Sequence, residues 1–152
     1  VGVLELTALP SIGEERWIPW VREADVLLVD GGDATYLCHW MRQSGLADLV
    51  PSLPEMVWVG VSAGSMVMSP RIGDSFVEWP SAPDDRTLEF VGFSIFPHLD
   101  VFPSNTMAEA EQTPDALRPP RSPPPRRRPD RRVGVASPGR KTGMVLFWGT
   151  WW

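Results

Sequence analysis

Two short apolar runs, each leading straight into a glycine-bearing turn, limit what this chain can fold into more than any other feature. The first is VLLV, Val26–Val29, followed by DGGDATYLCHWMRQSG; the second spans Met56 to Val61 and overlaps GVSAGS, Gly60–Ser65. Continuous apolar runs of this length suit parallel strands covered on both faces. After the first, Asp33 is placed to cap a helix in which Leu37, Trp40, Met41 and Ser44 share a face, with Gly45 as its stop. After the second, a short helix is expected over Ala63–Ser69, ended by Pro70. Strand, turn, helix, strand, sharp turn is the α/β order, and such sheets bind ligands at the carboxyl ends of their strands, where GGD and GVSAGS both fall. Around this frame the patterning predicts a strand over Val3–Leu9 and a helix over Trp17–Ala24, with Pro19 in its first turn. It also predicts a short strand over Ser75–Trp79 and a strand over Val91–Phe96 that runs into Pro97 and His98.

GVSAGS carries a GxSxG pattern centred on Ser62. Such a pattern acquires chemical meaning where a strand turns abruptly into a helix, because the turn strains the serine backbone and lifts its hydroxyl above the sheet. Acyl transfer needs a nucleophile, a base, a group that orients the base, and donors for the oxyanion. Ser62 would be the nucleophile and His98 the base. The N–H of Ala63 and one from the Gly31–Gly32 turn would receive the oxyanion. Asp74 and Glu78 both lie between serine and histidine as candidate acids, with Asp84, Asp85 and Asp100 as weaker options. Cys38 and His39, mid-helix, are read as packing or surface residues.

Composition narrows the setting. At 152 residues with 43% hydrophobic content the chain suits one domain with a true core. No run approaches the roughly 18 apolar residues of a membrane span. One cysteine excludes an internal disulfide, and with only two histidines no metal cluster is expected. The chain is therefore read as cytoplasmic, without cofactor or metal. Its net charge of −5 is unevenly spread: residues 1–112 hold 17 of the 19 acidic groups, whereas 113–152 hold 9 of the 14 basic groups and 8 of the 17 prolines. A Pro/Arg-rich tail of this kind buries too little apolar surface to offset its ordering entropy, so disorder is expected there. Its Arg run lacks the aromatic interleaving of a nucleic-acid binder, and neither nucleic acid nor membrane is expected as a partner.

Taken together, VLLVDGGDATYL, GVSAGSMV and FSIFPHLD resemble the S51 family of serine peptidases, which includes peptidase E (aspartyl dipeptidase) and cyanophycinase, over roughly residues 24–112. The resemblance implies a three-layer α/β fold with a parallel sheet, akin to class I glutamine amidotransferases and flavodoxin-like, here incomplete. It implies Ser62 as nucleophile, His98 as base, Gly32 and Ala63 as oxyanion donors, and a dipeptidase-like cleavage of small peptides; Asp74 is preferred over Glu78 as the acid. Two departures from the family pattern are expected. A first strand and loop would precede Val1, and after about residue 112 the loss of family character into the Pro/Arg tract suggests a frameshift. Residues 1–112 would thus form a partial hydrolase domain and 113–152 a tail. The oligomeric state is left open, a homodimer fitting only a complete domain.

Two other functions compete. An α/β-hydrolase esterase shares the elbow and the order serine, acid, histidine, but its histidine normally lies farther along than the 36 positions from Ser62 to His98. An inactive or poorly folded amidotransferase-like fragment would keep the motifs without turnover.

Overall fold

The computed structural model describes residues 1–101, 103 and 105–112, together with the backbone of Gly143–Phe147. Its centre is a four-stranded parallel sheet in the order β1-β4-β2-β3, formed by β1 (Gly2–Glu5), β2 (Val26–Val29), β3 (Val57–Gly60) and β4 (Gly143–Phe147). The helices are α1 (Glu14–Arg22), α2 (Ala34–Gln43), α3 (Leu46–Leu49), α4 (Ala63–Met66) and α5 (Met107–Gln112). The architecture is mixed α/β, as expected. Among the described residues no helix is long and apolar enough to cross a membrane.

β2 and α2 form where the sequence places them. The Asp33 side chain accepts a hydrogen bond from Tyr36 N, and Gly45 ends the helix at φ 78°, a left-handed conformation that glycine enters without a Cβ penalty. Leu37 and Met41 of α2, with Trp17 and Val21 of α1, bury against Leu4, Leu27 and Val29 of the sheet.

Several local expectations change. β1 stops at Glu5 rather than Leu9, because the Glu5 carboxylate accepts from Thr7 N and Thr7 Oγ1 and turns the chain into a 3-10 segment, Leu6–Ser11. α1 begins at Glu14, so Pro19 lies inside the helix and not in its first turn; burial of Trp17 and Val21 offsets the lost backbone bond. Residues 75–79 form no strand, since the chain closes a 3-10 turn over Asp74–Phe76. Residues 91–96 form none either: Phe90 N and Val91 N both donate to Met68 O, and Ser94 Oγ donates to Arg71 O, so the run is tied point by point instead of through a ladder.

The tail expectation needs correction at five residues. Gly143–Phe147, GMVLF, pairs with β1 on one side and β2 on the other and sits inside the sheet. This stretch is apolar and free of proline, so it can both donate to and accept from two ladders, which the Pro/Arg tract upstream cannot. The expectation of disorder for residues 113–142 and 148–152 lies outside the described residues.

The two faces of the sheet differ. Leu4, Leu27 and Val29 are buried beneath the helices, whereas Val3 is 67% exposed, Leu28 36%, Val57 54% and Val59 42%. In register, Val3 pairs with Val145, which pairs with Leu28, which pairs with Val59, so the exposed side chains of Val3, Leu28 and Val59 share one register row of the sheet. The expected covering of both faces by helices is thus seen on one face among the described residues.

Candidate active site

The elbow is built by close backbone approach. Ser62, between β3 and α4, has φ 51° and ψ −115°, a conformation costly for a residue with a Cβ. A Cβ on Gly60 would overlap the Gly64 carbonyl, and one on Gly64 would overlap the Val29 carbonyl, so both glycines of the pattern are sterically required. The turn is stitched to the end of β2 by Val61 N donating to Val29 O at 2.8 Å and Gly64 N to Asp30 O at 3.1 Å. Trp58 of β3 reaches up to it, with its indole Nε1 donating to Gly64 O at 2.8 Å.

The two serines of the motif part company here. Ser65 Oγ donates to Gly60 O at 2.7 Å and so braces the turn, while the exposed Ser62 hydroxyl makes no hydrogen bond among the described residues. The Gly31–Gly32 turn lies alongside: a Cβ on Gly31 would sit 3.4 Å from Ser62 Cβ and 3.9 Å from Ser62 Oγ. Gly31 N is occupied by Asp30 Oδ1 at 2.7 Å. The N–H groups of Gly32 and Ala63 meet no acceptor among the described residues, which leaves both available to an incoming oxyanion.

The candidate acids and the candidate base lie on irregular segments. His98, exposed and at φ 55°, opens a turn closed by Val101 N donating to His98 O at 3.0 Å, with Asn105 Nδ2 bonding Pro97 O behind it. Asp74 and Glu78 are both exposed, on the 3-10 turn and just after it. Phe76, between them, packs edge-on against Phe96 at a centroid separation of 5.3 Å, which links this segment to the stretch that carries His98. No hydrogen bond among the described residues joins the side chains of Ser62, His98, Asp74 and Glu78. Catalytic bonds are commonly long in unliganded sites and tighten around substrate.

The weaker acid options have other employment or position. Asp85 is buried and grips Arg71, with Nη2 to Oδ1 at 2.6 Å, and accepts from Gly73 N at 3.0 Å. Burial pushes its carboxyl up, but the hydrogen bond and charge of Arg71 and the Gly73 N–H outweigh that and hold it below the usual carboxylate range. Asp84 accepts from Arg86 N at 2.9 Å, and Asp100 is exposed at φ 58° in the His98 turn.

Beside α2 a groove of about 390 Å³ is lined by Thr35, Cys38, His39, Arg42 and Trp79, among others. Burial pushes the Cys38 thiol up, so it stays protonated and inert, in keeping with a packing role. No group of three or more potential metal-ligating side chains occurs among the described residues.

Sequence reasoning missed the polar ties that hold the loops: Asp33 to residues 78–79, Asp85 to Arg71 and Gly73, and Trp58 to the elbow. Among families of known proteins, the model of peptidase family S51 matches residues 7–117. No curated protein and no solved structure matches.

Proposed function

The chain belongs to peptidase family S51, and from that premise we propose that it is a serine-type, dipeptidase-like peptidase acting on small peptides through an acyl-enzyme on Ser62. In this reading Ser62 Oγ attacks the scissile carbonyl carbon while His98 takes its proton. The carbonyl oxygen becomes an oxyanion between the N–H groups of Gly32 and Ala63. His98 returns the proton to the leaving amine, and water, deprotonated by His98, then releases the acyl group. Asp74 orients the imidazole, ahead of Glu78. No cofactor enters the cycle, and the single, buried cysteine suits a cytoplasmic setting.

One observation carries the proposal: at the strained, exposed elbow the Ser62 hydroxyl is unengaged and lies beside the Gly31–Gly32 turn, while its neighbour Ser65 is committed to Gly60 O. A fluorophosphonate probe should label the chain at Ser62, located by peptide mass spectrometry, and Ser62→Ala should remove labelling and reduce peptide turnover by about three orders of magnitude or more. Labelling at Ser65, or full turnover in the alanine variant, would overturn the assignment.

A further inference from the structure

Asp33 does more than cap a helix. Its Oδ1 accepts from Thr35 Oγ1 at 2.6 Å and from Tyr36 N at 2.7 Å, which is the capping role. Its Oδ2 turns the other way and accepts from two backbone donors 45 and 46 residues downstream, Glu78 N at 3.0 Å and Trp79 N at 2.8 Å. One carboxylate therefore takes four hydrogen bonds and joins the start of α2 to the segment that carries both candidate acids.

What lies at each end gives this tie its meaning. Asp33 directly follows Gly32, whose N–H meets no acceptor among the described residues, in the turn whose Gly31 lies against Ser62. The 78–79 backbone follows Asp74 and Phe76, and Phe76 packs on Phe96, two residues before His98. Beyond the tie, the Trp79 ring stands edge-on to Tyr36 at 5.5 Å and tilts over His39 at 4.9 Å, so its far side is pressed onto α2. Residues 74–79 thus span from the oxyanion turn to the base segment, and Asp33 Oδ2 is their polar anchor at the nucleophile end. A carboxylate so near a developing oxyanion would oppose it if bare; four donors spread its charge and leave the neighbouring Gly32 N–H to the substrate.

We propose that Asp33 is a positioning residue that fixes the acid-bearing segment relative to Ser62 and the oxyanion turn. This rests on the serine reading of the site. Misplacement of such a segment by about 1 Å is enough to cost up to a hundredfold in rate.

The test separates capping from anchoring. Asp33→Ser keeps a good N-cap acceptor for α2 but has no second oxygen for residues 78–79; Asp33→Asn keeps the shape and presents an amide donor to two N–H donors. Both are compared with the parent full chain by fluorophosphonate labelling, resolved into the maximal rate and the half-saturating probe concentration, and by amide hydrogen exchange. The expected result is a maximal labelling rate about 10- to 100-fold lower with half-saturation within about twofold, together with faster exchange at residues 78–79 and unchanged protection in α2. Labelling by Asp33→Ser at the parental maximal rate, with exchange at 78–79 accelerated, shows that the anchor does not position the site and overturns the proposal. Unchanged exchange at 78–79 in both variants overturns it by removing the anchor itself. A parent chain in which Ser62 takes no probe overturns the serine reading, and the positioning role with it, and is told apart from the other outcomes by the silence of the parent.

Discussion

The two halves of the candidate site are held by different physics. On the nucleophile side, Gly60–Met66, positions are set by backbone packed on backbone: two glycines with no room for a Cβ, two N–H donors into the end of β2, and a tryptophan on the outer carbonyl. On the acid and base side, residues 71–98, no strand or long helix carries the chain, and carboxylates do the holding: Asp33 across 45 residues and Asp85 across 14, with the Phe76–Phe96 contact between. Steric fit of this kind is indifferent to pH and salt. Carboxylate ties are not, so the two halves should fail under different conditions.

The largest effect is expected at the sterically fixed half. Gly64→Ala places a methyl group against the Val29 carbonyl, where the neighbour is backbone and cannot swing aside, and should destabilise by about 3 kcal/mol, read from the urea midpoint. Tolerance of alanine there would erase the contrast between the halves.

A smaller loss is expected at the polar half, and it should depend on pH. Asp85→Asn gives up charge-assisted bonds to Arg71 and the Gly73 N–H and should cost about 2 kcal/mol, moderated because the Arg71 side chain is 43% exposed. Because the folded carboxyl of Asp85 lies below its unfolded value, its contribution is present above the ordinary aspartate pKa of about 4 and is lost as pH falls through the folded value. The gap in stability between parent and Asp85→Asn should therefore narrow on acidification below about pH 4, whereas the gap for Gly64→Ala should stay constant. Parallel acid curves for all three proteins would show that Asp85 carries no such linkage.

The smallest effect sharpens the comparison inside the elbow itself. Ser65→Ala removes one bond to Gly60 O and should cost about 1 kcal/mol while leaving probe labelling at Ser62 in place. A loss of labelling there would mean that the elbow depends on this brace more than on its glycines.

This division also explains what could be read from the residues alone. Glycine at 60, the Asp33 cap and the Gly45 stop are local requirements, each met within about five residues, and local pattern reports them; glycine at 64 clears the distant Val29 carbonyl and was legible only as part of the GxSxG pattern. The same carboxylate of Asp33 has a second oxygen whose donors lie far along the chain, and no local pattern encodes that pairing. Residues 91–96 have the composition of a strand, yet their bonds go to Met68 and Arg71 on a neighbouring turn, a choice made by tertiary packing. β4 was hidden for another reason: averaged over 113–152, proline and arginine mask five consecutive residues whose own chemistry is that of a central strand. The S51 likeness, by contrast, rests on three short stretches, VLLVDGGDATYL, GVSAGSMV and FSIFPHLD, and the family match bears it out.

The left-handed backbone of Ser62 carries a consequence for how this protein would respond to selection. A serine at φ 51° holds a conformation that glycine takes freely, and the difference amounts to about 1 kcal/mol or more of folding stability given up at one position. A library of this chain sorted only for survival after heating should therefore accumulate Ser62→Gly, a change that strengthens the fold and deletes the proposed nucleophile in one step. Heat resistance and chemistry pull on that codon in opposite directions, and a screen that rewards one must also score the other.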